Sequence, residues 1–140
     1  MSYRYGITSR NRLDTCHADL QKIFNTLIEY DDVSILCGHR SEKEQDIAFR
    51  SGVTKVMWPN SKHNLQPSMA VDAAPYPIDW NDHKRFAVFA GRVLQIADHL
   101  YNLGLIDHKV RWGGDWDKDG STTDQTFNDL PHFELYKLGE

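Results

Sequence analysis

Residues 82–103 constrain the fold more than any other stretch of this 140-residue chain. Phe86, Phe89, Val93, Leu94, Ile96, Ala97 and Leu100 recur there at helical spacing, and Gly104 stands where the helix would end. An apolar face that wide has to be buried, so this stretch is predicted to be the main core helix. Residues 11–30 carry a second such face in Leu13, Cys16, Leu20, Ile23, Phe24, Leu27 and Ile28, with Ser9 near the start as a cap and Asp31 and Asp32 to break it. A third helix is predicted over residues 41–50, where Ser41 and Glu44 have capping-box spacing and Gly52 marks the stop.

Strand signals are shorter. Residues 33–37 form a β-branched run that predicts a buried strand ending at Gly38. Residues 53–77 are the least regular segment, with turn signals at Trp58-Pro59-Asn60-Ser61, Gln66-Pro67-Ser68 and Pro75-Tyr76-Pro77. Long irregular segments in compact domains are usually functional or disordered, and the short strand predicted at residues 69–74 favours function. Residues 110–114 and 132–136 suggest two strands flanking an Asp-rich excursion. With no repeat, linker or low-complexity tract, the expectation is one α+β domain over residues 1–140: N-terminal helices and a long central helix packed on a small, mostly antiparallel sheet.

Composition excludes several classes. A formal net charge of -4 without a basic block argues against nucleic acid as a partner. The N-terminus lacks an apolar run after its charges and no stretch reaches membrane-spanning length, so synthesis in the cytoplasm without a signal peptide, and no stable membrane insertion, are expected. Cys16 and Cys37 are far apart and fit no CxxC pattern, so they read as small buried hydrophobes. No heptad or broad exposed apolar stripe is present, which points to a monomer.

Chemistry concentrates elsewhere. His63 lies in the turn-rich segment, and His132 lies between Pro131 and a strand-like run. Asp72 interrupts the apolar run Met69-Ala70-Val71-Asp72-Ala73-Ala74, where a buried carboxylate is costly without a cation or strong donors. Catalytic zinc commonly takes three protein ligands of mixed His and carboxylate type and keeps the fourth position for water, and His63, Asp72 and His132 would supply such a set. Asp129, three residues before His132, would be the base. Glu134, two residues after His132 and so on the same strand face, could orient its imidazole. Taken singly, each has an ordinary reading: a loop histidine is more often solvated, and an Asp in an apolar run more often caps a turn. His17, His39, His83, His99 and His108 keep that ordinary reading, because none has a carboxylate at suitable spacing.

Taken jointly, Ser61-x-His63, Ala70-x-Asp72 and Asp129-x-x-His132 resemble the VanY-like (M15) zinc peptidases, closest to the phage endolysin branch of L-alanyl-D-glutamate endopeptidases. The likeness runs nearly end to end, through Tyr5-Gly6, Ser9, Leu13, His17, Leu20-Gln21, Gly38-His39-Arg40 with Gln45, Tyr76, Trp80, Arg111 to Trp116, and His132 to Leu135. It implies His63, Asp72 and His132 as zinc ligands, Asp129 as the catalytic base, and Arg40 as the group that holds a peptide carboxylate or stabilises the oxyanion. The implied substrate is the peptidoglycan stem peptide, cut between L-alanine and D-glutamate by a phage lysis enzyme. Such an enzyme acts on the wall in the periplasm, and a separate holin-type pore protein lets it out. The family's spacing puts the aspartate seven residues after the histidine, whereas Asp72 is nine after His63; a loop absorbs two residues at small entropic cost.

Two rival functions stay open at this point. A D-alanyl-D-alanine carboxypeptidase or dipeptidase of the same group would share the zinc chemistry. A peptidoglycan-binding module would keep the metal without cutting, although Asp129 would then have no purpose beside a structural ion. Asp115, Asp117, Asp119 and Gly120 also alternate like an oxygen-rich calcium loop, but Thr126 stands where its twelfth-position glutamate would be. Bound calcium and an exposed acidic hairpin both fit that pattern.

Overall fold

A computed structural model describes residues 3–121, 123 and 128–139. In chain order the elements are α1 (Ile7–Asp14), α2 (Ala18–Leu27), β1 (Val33–Cys37), α3 (Glu42–Arg50), a 3₁₀ turn (Lys62–Asn64), β2 (Ala70–Pro75), α4 (His83–Asn102), β3 (Lys109–Gly113) and β4 (Asp129–Tyr136). The strands form one sheet in the order β1-β2-β4-β3, and each neighbouring pair is antiparallel. This is the expected α+β arrangement. Alternation along the strands divides the residues between two faces. Val71, Ala73, Val110, Trp112, Phe133 and Leu135 turn to the core shared with α2 and α4. Phe133 meets Phe24 of α2 and Phe89 of α4 edge-on, with ring centroids 6.0 Å apart in both pairs.

The long helix forms as its periodicity predicts. Asp82 caps α4 by accepting a hydrogen bond from the Arg85 N–H, and Phe86, Phe89, Ala90, Val93, Ala97 and Leu100 are its buried stripe. Burying side chains of the Val, Leu or Phe type stabilises by about 1.5–3 kcal/mol each, and that favours seating α4 on the sheet. The capping box of α3 is also present, with the Ser41 hydroxyl accepting from Glu44 N–H and the Glu44 carboxylate accepting from Ser41 N–H.

The single helix expected over residues 11–30 is two helices, interrupted at Thr15 to His17. Backbone bonds to a distant segment take over there: His17 N–H donates to the Ser68 carbonyl at 2.8 Å, and Ser68 N–H donates to the Thr15 carbonyl at 2.9 Å. His17 then restarts the helix, its Nδ1 accepting from the Asp19 N–H at 2.9 Å. Ser9 is not a cap; it lies inside α1, and its hydroxyl accepts from the Ile35 N–H, tying the helix to β1. Where β1 leaves the sheet, Gly38 passes so close to α1 that a Cβ would sit 2.2 Å from Thr15 Oγ1 and 2.3 Å from the Arg12 carbonyl oxygen. Only glycine fits there without displacing the helix. Cys16 and Cys37 are both free.

Candidate active site

The sheet face opposite the core carries the polar residues. Asp72 of β2 pairs with His132 of β4, and Glu134 is the partner of both Ala70 and Arg111. A regular strand would send Asp129 and His132 to opposite faces, because three residues separate them. Register resolves this: Trp112 pairs with Phe133, yet the next residue, Gly113, already pairs with Asp129. Leu130, Pro131 and His132 therefore form a bulge. The Trp112 indole N–H anchors it by donating to the Leu130 carbonyl at 2.7 Å, and Asp129 swings round to the side of His132.

His63 reaches the same point from the 3₁₀ turn. The Ser61 hydroxyl accepts from His63 N–H, and the Asn64 side-chain oxygen accepts from Ser61 N–H, closing the turn at both ends. Asn64 Nδ2 donates to the Arg40 carbonyl and to Gln45 Oε1, while Arg40 N–H donates to the His63 carbonyl at 2.8 Å. Gln45 is fully buried, accepts from Arg40 NH1 and donates to the Val56 carbonyl. The sequence patterns assign no site role to Gln45, Asn64 or Lys62. For Asn64 a signal was available in the Ser-x-x-Asn spacing of the turn.

The three proposed ligand atoms meet. His63 Nε2 lies 3.3 Å from Asp72 Oδ1 and 3.3 Å from His132 Nδ1, and His132 Nδ1 lies 3.2 Å from Asp72 Oδ1. Zinc bound at about 2.0–2.1 Å with tetrahedral angles puts neighbouring ligand atoms about 3.3–3.4 Å apart, so the triangle has the right size. The outer nitrogens settle the tautomers. His63 Nδ1 donates to the Gly38 carbonyl at 2.7 Å and His132 Nε2 donates to Glu134 Oε1 at 2.8 Å. Each neutral imidazole thus turns a bare lone pair toward the Asp72 carboxylate. Three acceptors converging in a buried space require a cation.

Without a metal ion, protons supply that cation. Burial pulls the His63 imidazole down, but the Asp72 charge and hydrogen bond, with Cys37, outweigh it and lift it to about 10. His132 is raised as well, its hydrogen bonds to Asp72 and Glu134 overcoming burial. Burial would push Asp72 up, yet the two imidazoles hold it far below the usual carboxylate range. Arg40 occupies the other oxygen, its NH2 lying 3.5 Å from Asp72 Oδ2. Cys37 Sγ is 3.9 Å from His63 Nδ1, the nitrogen turned away from Asp72, so it lies outside the ligand triangle.

Asp129 Oδ2 stands 3.9 Å from His132 Nδ1. Burial and the Asp72 charge push its carboxyl up to about 6, against the pull of His132, His63 and Arg40. A cleft of about 830 Å³ opens over these groups, with Trp80, Trp116, Arg111 and Lys62 in its walls. The Asp115, Asp117 and Asp119 carboxylates converge within 4.8 Å, and Asp115 accepts from the N–H groups of Asp119 and Gly120. An acidic hairpin and a calcium loop share that geometry; Asp124 and Thr126 lie outside the described residues. His108 does have a carboxylate partner, since its Nδ1 lies 2.7 Å from Asp19 Oδ2. Asp19 is 89 positions away along the chain, beyond the reach of any local spacing argument.

A triangle of His, Asp and His whose separations would suit a cation, with a carboxylate raised toward neutrality beside it on an α+β sheet, has the geometry that metallohydrolases use. Residues 1–136 match the phage L-alanyl-D-glutamate peptidase family, and the chain belongs to that family. It is therefore a peptidase, and the resemblance drawn from its motifs holds. An L-alanyl-D-glutamate peptidase of Escherichia phage T5 is 28% identical over 130 residues, covering 89% of this chain and 90% of that protein. The crystal structure of the Serratia marcescens L-Ala D-Glu endopeptidase ChiX superposes with a TM-score of 0.68 at 25% identity, covering 95% of this chain and 90% of its own.

Proposed function

We propose that this chain is a zinc-dependent peptidoglycan endopeptidase that cuts the stem peptide between L-alanine and D-glutamate and serves in phage-driven lysis. The observation that carries the metal reading is the lone-pair triangle of His63, Asp72 and His132, whose three separations span 3.2 to 3.3 Å. When bound there, zinc would supply Lewis acidity toward the scissile carbonyl and toward water.

The chain's own groups do the rest. Asp129, with a carboxyl near 6, is matched to taking a proton from the attacking water at neutral pH and handing it to the leaving D-glutamate amine. Arg40 holds Asp72 Oδ2 and lines the cleft, where its guanidinium can also face a substrate carboxylate or the developing oxyanion. Glu134 fixes the His132 tautomer. No described helix is long and apolar enough to cross a membrane, and periplasmic action after release through a holin-type pore belongs to this proposal.

Mass spectrometry of digested peptidoglycan tests it. New N-terminal D-glutamate, lost on chelation and restored by zinc, is the expected result. Released D-alanine would instead make the enzyme a D,D-carboxypeptidase, and zinc-bound protein without any product would make it a binding module.

A further inference from the structure

Lys55, Lys62 and Arg111 line the cleft without a part in the steps above, and Arg111 closes a ring of contacts behind His132. Glu134 is buried, with its side chain 9% exposed. Its Oε1 accepts from His132 Nε2 at 2.8 Å, and its Oε2 accepts from Arg111 NH2 at 2.6 Å. The two residues face each other across β3 and β4, so the sheet register itself sets their separation. Arg111 NH1 also donates to the Trp116 carbonyl at 3.4 Å, and its guanidinium lies 5.4 Å from the centroid of the Trp116 ring. That ring in turn lies 5.5 Å from the His132 imidazole, centroid to centroid. Arg111, Glu134, His132 and Trp116 thus form a closed circuit.

A carboxylate held at one oxygen can still swing; held at both, it fixes the plane and direction of the imidazole it accepts from. Lys62 contributes less. Its Nζ is 3.7 Å from Glu134 Oε2 and is already engaged with the Leu135 carbonyl. We propose that Arg111 is a positioning residue of the hydrolytic centre: by holding Glu134 Oε2 it sets the orientation in which His132 presents Nδ1. This rests on the reading of His132 as a metal ligand.

Zinc affinity, measured by competition with a chromogenic chelator, tests the proposal separately from turnover. Arg111→Met should bind zinc on the order of tenfold more weakly than wild type. Arg111→Lys should recover part of the loss, because it restores the charge without the fork, and it remains informative if the methionine variant does not fold. Arg111→Met combined with Glu134→Ala should bind no more weakly than Glu134→Ala alone, since Arg111 acts through that carboxylate. Unchanged zinc affinity with a raised KM would overturn the proposal and make Arg111 a substrate contact. Additive losses in the double variant would overturn it too. Failure of the underlying metal reading looks different: His132→Ala would then bind zinc as well as wild type.

Discussion

At Asp129, the proposed base, the burial that raises the carboxyl also works against stability. An acid whose folded-state pKa lies above its unfolded value binds more protons folded than unfolded. For a carboxyl raised from 3.8 to about 6, stability therefore falls as pH rises through that interval and stays lower above it. The side chain is 25% exposed, and with that discount the penalty is on the order of 2 kcal/mol at neutral pH. Asp129→Asn should accordingly stabilise the chelated protein by about that much at about pH 7.5 and by little at about pH 3, read from urea midpoints. Turnover should fall about 10²–10⁴-fold. An asparagine variant no more stable than wild type at neutral pH would show that the carboxylate is not held against its own solvation. Residues of this kind were legible in the sequence because each sits where its chemistry is out of place, as Asp72 does in an apolar run. Arg111 and Lys62 gave no such signal, since a lone cation beside a strand or turn is ordinary until Glu134 arrives from 23 and 72 positions away.

Among the elements, the β3–β4 pairing decides whether the proposed base Asp129 and the proposed ligand His132 share a face. Gly113 is where the strands close up: a Cβ there would lie 2.1 Å from the Asp129 carbonyl oxygen. Gly113→Ala must push the start of β4 outward, while His132 stays held by Glu134 farther along the strand. The variant should keep its zinc, lose about 1–3 kcal/mol of stability and lose about tenfold or more in kcat, because a catalytic group shifted by a fraction of an ångström is badly placed. Metal analysis beside steady-state kinetics checks it; wild-type kcat would mean that the bulge does not position Asp129. Helices such as α4 were readable because a periodic face and its cap are local. The break at Thr15 to His17 was not, since it is made by backbone bonds to Ser68, some fifty residues on. The β4 bulge was hidden for the same reason, as its anchor is the Trp112 side chain of another strand.

Across the whole molecule, the core and the chemistry sit on opposite faces of one sheet, so the fold does not depend on the metal for its hydrophobic burial. Val71, Phe133 and Leu135 face α2 and α4 whether or not an ion is present. A bound ion would instead tie the 3₁₀ turn at His63 to β2 and β4, replacing the protons that otherwise hold the two imidazoles against Asp72. A ligand that binds only the folded state stabilises it by about 4 kcal/mol at a thousand times its Kd. For a chain of this size that corresponds to a fall in Tm on the order of 10 °C on chelation. Far-UV circular dichroism should stay unchanged below the transition, because the helices and the apolar sheet face are intact. His132→Ala separates this from a nonspecific effect of the chelator: its Tm should respond little to zinc or its removal. Equal zinc-dependent shifts in wild type and His132→Ala would place the ion elsewhere. Loss of secondary structure in the chelated wild type would show instead that the metal holds the sheet itself together.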